Sequence, residues 1–191
     1  MRIVGGSARG RRLFGPSGAA MRPTADRVRQ ALFDVLGQRL DGGRVLDLYA
    51  GTGALGIEAL SRGASSARLV DRAPRALDLC RANAEAIGFS DRVLVERLDL
   101  PRELGRMAHV PGFGPPFELA FADPPYAAGG ELPAVIEWLA SGALAPGGLA
   151  LVEHDRRLEL PRVSVGSRRL RQVDVRRFGD TLVTFYRADA E

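Results

Sequence analysis

The sequence predicts an α/β domain built on an open, mostly parallel sheet that ends in antiparallel strands. Three observations carry that prediction. Short apolar runs alternate with segments of helical periodicity from residue 45 onward, the pattern of a parallel sheet covered by helices. The first of these runs opens into the turn Gly51-Thr52-Gly53, and the last two flank Gly179-Asp180, a hairpin signal. The chain's 191 residues, 46% of them hydrophobic, suffice for one domain with a full core.

Taken in order, residues 2–14 read as two short strands around a glycine-bearing turn, an arginine-studded hairpin extension over residues 1–21 ahead of a core spanning 22–191. Thr24 is placed to cap a first helix, in which Val28, Ala31, Leu32, Val35, Leu36 and Leu40 form one apolar face and Arg27, Arg29 and Gln30 the other. There follow a strand over 45–49, a helix over 54–62, a strand over 68–71, a helix over 74–87 and a strand over 92–98. A strand ending at Asp123, a helix around 132–139, a strand over 149–153 and a hairpin of 170–178 with 181–187 complete the series. Cys80 and Trp138 lie among apolar neighbours at helical spacing and read as packing residues.

Composition narrows the functional classes. A single cysteine excludes an internal disulfide framework, and with only two histidines no metal centre is expected. No run approaches the length of a membrane helix and the start lacks a signal-peptide core, so a cytoplasmic protein is expected. All 27 basic residues are arginine, and they are segregated. Residues 1–29 hold seven arginines against one acid and residues 156–177 hold eight against two, while residues 30–155 carry eleven against seventeen. Clustered guanidinium groups bind phosphate in pairs and stack on bases, which points to a nucleic-acid partner.

The first core strand runs through Asp47 into the turn at Gly51 and Gly53, and the second ends at Asp71, twenty residues beyond Gly51. Such a turn lets backbone approach a ligand, and an acid ending the second strand can accept ribose hydroxyls. Gly51-Thr52-Gly53-Ala54-Leu55-Gly56 formally satisfies the dinucleotide pattern, so a nicotinamide-dependent oxidoreductase is one reading. Asp47 favours another: a carboxylate before the loop repels a pyrophosphate but suits the ammonium group of S-adenosylmethionine. Asp99, ending the third strand, stands where a side chain can take an adenine amino group.

At the end of the run 117–122 stands Asp123-Pro124-Pro125-Tyr126. A rigid turn carrying a carboxylate and an aromatic ring suits a planar amine, whose hydrogens the oxygens accept. Cytosine-type carbon methylation is disfavoured, because it needs a reactive cysteine and Cys80 sits within a helix.

The stretch VLDLYAGTGALGIEALSRGA (45–64), the segment Arg22-Pro23-Thr24 with Arg27, Val28 and Arg29, the run FADPPY (121–126) and the opening MRIVGGSARGRRL together resemble the bacterial 16S ribosomal RNA guanine-N2 methyltransferase family. The likeness extends over nearly the whole chain. Departures are small: arginine fills every basic position, and Ala122 stands where a larger apolar residue is expected. The resemblance implies a Rossmann-like class I methyltransferase fold, a seven-stranded sheet with a reversed last strand. It implies an S-adenosylmethionine pocket lined by Arg22, Thr24, Asp47, Tyr49, Gly51, Thr52, Gly53, Asp71, Arg72, Asp99 and Leu100, with Asp123, Pro124, Pro125 and Tyr126 holding the base. RNA contacts are expected from Arg2, Arg9, Arg11, Arg12, Arg27, Arg168 and Arg169. A monomer acting on 16S rRNA in an assembled or assembling small subunit is expected. The competing readings are a DNA adenine-N6 enzyme, the oxidoreductase and a non-catalytic RNA-binding module.

Overall fold

The alternating runs fold into one sheet with helices on both faces. The computed structural model describes residues 1–16, 23–37, 40, 42–107 and 109–190, with the side chains of 23–27, 126–128 and 164 outside the description. In chain order the elements are α1 (Pro23–Leu36), β1 (Arg44–Leu48), α2 (Ala54–Ser61), β2 (Ser66–Asp71), α3 (Pro74–Ile87), β3 (Val93–Arg97), β4 (Phe117–Ala122), α4 (Leu132–Trp138), β5 (Leu144–Asp155), β6 (Val163–Val165), β7 (Arg169–Phe178) and β8 (Thr181–Ala188). The strand order is β3-β2-β1-β4-β5-β8-β7-β6. Strands β1 to β5 run parallel, and β8 is inserted antiparallel to both β5 and β7. The reversed last strand is therefore present, and a three-residue strand, β6, extends the edge beyond β7.

Alternation along each strand sorts the core into two layers. Leu46, Leu48, Ala120, Ala122 and Val152 face the layer built on Leu132, Val135 and Ile136 of α4. Val45, Leu69, Phe121 and Leu151 face Phe33 of α1, Leu60 of α2 and Cys80 of α3. Trp138 packs half-buried against the first layer, as its apolar neighbours predict. Chain order reverses between β1 and β4: β2 and β3 lie on one side, β5 on the other. The carboxyl ends of β1 and β4 thus diverge at a switch point, where open α/β sheets form ligand crevices.

The opening segment departs from the hairpin of two short strands. A single antiparallel bridge, Arg2 with Arg12, joins its arms, supported by Ile3 N–H to Arg11 O at 3.0 Å and Gly10 N–H to Ile3 O at 2.8 Å. The ladder stops there because Glu58 of α2 takes the next donors: Val4 N–H to Oε2 and Gly5 N–H to Oε1, each at 2.8 Å. Glu58 is fully buried, and its Oε1 also accepts Arg62 Nε at 2.9 Å while Arg29 Nε lies 3.5 Å from Oε2. One carboxylate in α2 therefore ties the first residues and α1 to the sheet. Ile3, Ala8 and Leu13 then pack on Ala54, Ile57 and Ile87. Among the described residues no helix is long and apolar enough to cross a membrane.

Candidate active site

The turn after β1 is built from packing constraints as much as from openness. Gly53 sits at φ 73° as the residue before α2, and a Cβ there would lie 2.9 Å from Leu69 Cδ1. A Cβ on Gly56 would lie 2.3 Å from Leu69 Cδ2, so the helix rests directly on β2, a contact that only glycine permits. Tyr49 enters the loop at φ 61°, an uncommon conformation for a residue with a side chain and one that concentrates at functional sites. Its hydroxyl is buried without a hydrogen-bond partner among the described residues, and burial pushes its pKa to about 12, so it stays a neutral donor.

Two acids fix this loop. Asp71 Oδ2 accepts Gly51 N–H and its Oδ1 accepts Ala73 N–H, both at 2.9 Å. Asp47 Oδ2 accepts Gly56 N–H at 2.9 Å, satisfying a donor in the first turn of α2. Asp47 is 2% exposed. Burial lifts its pKa to about 8, against the pull of the Gly56 bond and with help from the charges of Asp123 and Asp71.

A cavity of about 740 Å3 opens above these residues, within the usual size of small-molecule sites. Asp47, Tyr49, Gly51, Thr52, Asp71, Arg72, Asp123 and Pro125 line it, so most of the predicted cofactor residues and the turn after β4 come together. Met1, Val28, Arg29 and Leu32 close one side, and Phe178 and Thr181 of the tail hairpin another. Asp99 lies off this cavity in a neighbouring cleft with Arg72, Arg97 and Glu103, its carboxylate 3.9 Å from Arg72. Leu100 is buried in the first core layer, so its side chain is a packing group and only its backbone remains available to a ligand. Arg22 and the side chains of Thr24, Arg27 and Tyr126 lie outside the described residues.

A second cleft of about 600 Å3 adjoins the first, lined by Asp123, Pro124, Pro125, Glu153, His154, Arg157 and Leu158, among others. Asp123, Pro125 and Glu153 border both. The Asp-Pro-Pro turn thus forms the wall between the two pockets. Burial pushes Asp123 up to about 6 and Glu153 to about 7, the latter helped by the charge of Asp123; adjacent acids of this kind titrate as a pair. His154 Nε2 lies 2.8 Å from Thr184 Oγ1 and joins β5 to β8, so it serves the scaffold. No group of three metal-ligating side chains occurs among the described residues.

The arginines divide by position. Arg11 binds the carbonyls of Ile87, at 2.7 Å, and Ala86 at the carboxyl end of α3, and Arg2 binds Gly10 O at 2.7 Å. Both are therefore engaged in holding the opening loop, while Arg9 and Arg12 are exposed. Arg168 and Arg169 stand at the start of β7, whereas the cavities open at its other end, near Phe178. Ten residues of strand separate the two, roughly 30 Å. The arginines at the cleft end are Arg156, Arg157, Arg176 and Arg177. Sequence position alone did not distinguish these from Arg168 and Arg169.

The electrostatics identify the ligand. Four acidic groups, Asp47, Asp71, Asp123 and Glu153, face the cavity against two guanidinium groups, Arg29 and Arg72, and Arg29 is already paired with Glu58. An acidic pocket of this kind rejects a pyrophosphate and accepts a sulfonium and an ammonium. The chemistry of this lining fits S-adenosylmethionine, which carries both of those cationic groups. The cationic ligand lowers the pKa of Asp47, so the empty site binds more protons than the filled one. Affinity measured by calorimetry should therefore rise between pH 6 and 7.5, by up to about tenfold per unit, and flatten as the ligand's own amine begins to titrate. In Asp47→Asn the rise should become shallower, leaving the part contributed by Asp123 and Glu153. The same raised pKa means Asp47 favours the folded state below about pH 4 and loses that contribution as pH climbs to about 8. The ligand-free D47N protein should accordingly melt higher than the parent at pH 8.

The fold is that of a class I methyltransferase, with the acidic cavity at the switch point and a second cleft beside it. The chain belongs to the family described as Conserved hypothetical protein 95, whose model matches residues 1–187. It is 39% identical over 163 residues to YlbH of Bacillus subtilis, covering 84% of this chain and 86% of that one. To Ribosomal RNA small subunit methyltransferase D of Escherichia coli strain K12 it is 35% identical over 164 residues, 85% of this chain and 79% of that one. Among solved structures, the yhhF protein of Escherichia coli superposes with a TM-score of 0.82 at 29% identity, over 100% of this chain and 99% of that one.

Proposed function

We propose that this protein transfers a methyl group to the exocyclic N2 amine of a guanine in 16S ribosomal RNA, acting in the cytoplasm as a monomer on an assembled or assembling small subunit. The observation that carries this reading is the Asp123-Pro124-Pro125 turn on the wall between the acidic donor cavity and the open cleft. The name of the Escherichia coli relative, a small-subunit ribosomal RNA methyltransferase, supports the substrate class.

When bound, S-adenosylmethionine supplies an electrophilic methyl group on a positively charged sulfur. The amine of guanine is a poor nucleophile because its lone pair is delocalised into the ring. The Asp123 carboxylate and the Pro124 carbonyl accept its two N–H bonds, which localises the pair on nitrogen and aims it across the wall toward the donor cavity. Asp123 would take up the surplus proton that the amine sheds once methylated. Base stacking, the part the resemblance assigns to Tyr126, is worth roughly 1–3 kcal/mol. Flipping the base out of its stack costs a few kcal/mol, so an unpaired nucleotide is the favoured target.

Arg157 and Arg177, at the cleft end of the sheet, are the phosphate contacts in this reading. Reversing both charges should reduce the slope of log affinity against log salt by about 1–2 on small-subunit RNA, since each lost contact removes about 0.7–0.9. The same reversal at Arg168 and Arg169 should leave the slope unchanged; equal effects of the two pairs would argue for a surface wrapping both ends. The reading as a whole is tested by supplying labelled donor to small subunits, naked 16S rRNA and duplex DNA from cells lacking the enzyme. Label in ribosomal RNA alone is expected, and label in DNA would instead mark an adenine enzyme.

A further inference from the structure

Glu153 stands beside Asp123 without a role in the reaction so far. Residues Ala122 and Val152 pair in register between β4 and β5 and face the α4 layer, while Phe121 and Leu151 face the opposite one. The next residues, Asp123 and Glu153, therefore emerge side by side on that second face, from strands about 4.8 Å apart. Both border the donor cavity and the substrate cleft. Neither side chain has a hydrogen bond or ion pair among the described residues, in a protein where most acids near the sheet are engaged. Two adjacent acceptors without donors therefore await a ligand that brings donors in a row.

The nucleobases differ sharply in this respect. Adenine and cytosine each place a ring nitrogen acceptor next to the amine, whereas guanine continues from its N2 hydrogens to N1–H, a further donor. We infer that Glu153 accepts the N1–H of the target guanine while Asp123 holds N2, so that Glu153 is the residue that selects guanine against other amine-bearing bases. This assignment rests on the guanine-N2 reading above. It is chemically distinct from the role of Asp123, which acts on the reacting nitrogen itself. With adenine in the cleft at a pH above about 8, where Glu153 is ionised, its carboxylate would face the lone pair of N1, leaving both groups desolvated and unpaired, the situation that gives polar sites their large discrimination.

The test uses 2-aminopurine, which keeps the N2 amine but has an acceptor at N1. Once product analysis has located the modified guanine, a synthetic strand carrying guanine or 2-aminopurine there is ligated into the ribosomal RNA. At about pH 8.5, above the raised pKa of Glu153, the parent enzyme should prefer guanine by about 10²-fold or more in kcat/KM. Glu153→Gln, whose amide can donate to N1, should lose about 10- to 100-fold on guanine and bring the two substrates within about fivefold of each other. Saturable donor binding and a cooperative melt no lower than the parent's would show that the variant is folded. A parent-like preference in E153Q overturns the role of Glu153 alone. Failure of the parent enzyme to methylate N2 of guanine removes the underlying reading and this assignment with it.

Discussion

Asp123→Ala is expected to lower the rate of methyl transfer by at least about 10²- to 10³-fold while leaving donor affinity within about threefold of the parent. The carboxylate borders the donor cavity from the substrate side, whereas Asp47, Asp71 and the glycine turn form its floor. Loss of Asp123 therefore removes an interaction made to the reacting amine and leaves the donor's own contacts in place. Single-turnover measurements with saturating donor separate these effects. Turnover within tenfold of the parent would contradict the assignment, and a matching loss of donor affinity would mean that Asp123 serves the wrong substrate. Asp123→Asn keeps one acceptor oxygen but cannot take up the proton, so it should fall between the two.

The largest effect on stability is expected at Glu58, a residue remote from the chemistry. Its carboxylate is the only anion placed against Arg29 and Arg62 among the described ion pairs, and it receives two backbone donors from the opening loop. Glu58→Ala removes the buried acceptor shared by two guanidinium groups and two backbone N–H groups. Removing one partner of such a buried cluster costs about 3–5 kcal/mol, which for a chain of this size lowers the melting temperature by about 10 °C. Because Met1, Val28 and Arg29 close one side of the donor cavity, the same substitution should also weaken donor binding. A melting temperature within two degrees of the parent would show that the loop is held by Ile3, Ala8 and Leu13 alone.

What was legible in the sequence follows from the range of the interactions involved. The glycine turn, Asp47, Asp71 and the Asp-Pro-Pro-Tyr turn are local motifs at strand ends, and strand ends converge at a switch point whatever the loops between them do. The alternation of strands and helices was equally local, and α3 begins and ends where its periodicity and its flanking Pro74 and Gly88 indicate. Glu58 reads as an ordinary polar position in a short helix; only the fold brings residues 4, 5, 29 and 62 to it. That long-range capture is also why the opening segment makes one bridge where two strands were expected. Glu153 is one acid in an apolar run, and its register against Asp123 depends on pairing across thirty residues. Arg168 and Arg169 belong to the same basic segment as Arg157 and Arg177, yet a ten-residue strand carries them to the far side of the molecule. Leu100 follows Asp99 in sequence, but its side chain turns into the core because the chain there alternates between layer and solvent.

The measurement that tests the central claim most directly is nucleoside analysis of small-subunit RNA after transfer of labelled methyl from S-adenosylmethionine, with RNA taken from cells lacking the enzyme. The label is expected in N2-methylguanosine, in a single nucleotide, and absent when Asp123→Ala replaces the parent enzyme. Label in N6-methyladenosine, or in a ring carbon or ribose oxygen, would contradict the account of the Asp123-Pro124-Pro125 wall and of the carboxylate pair beside it.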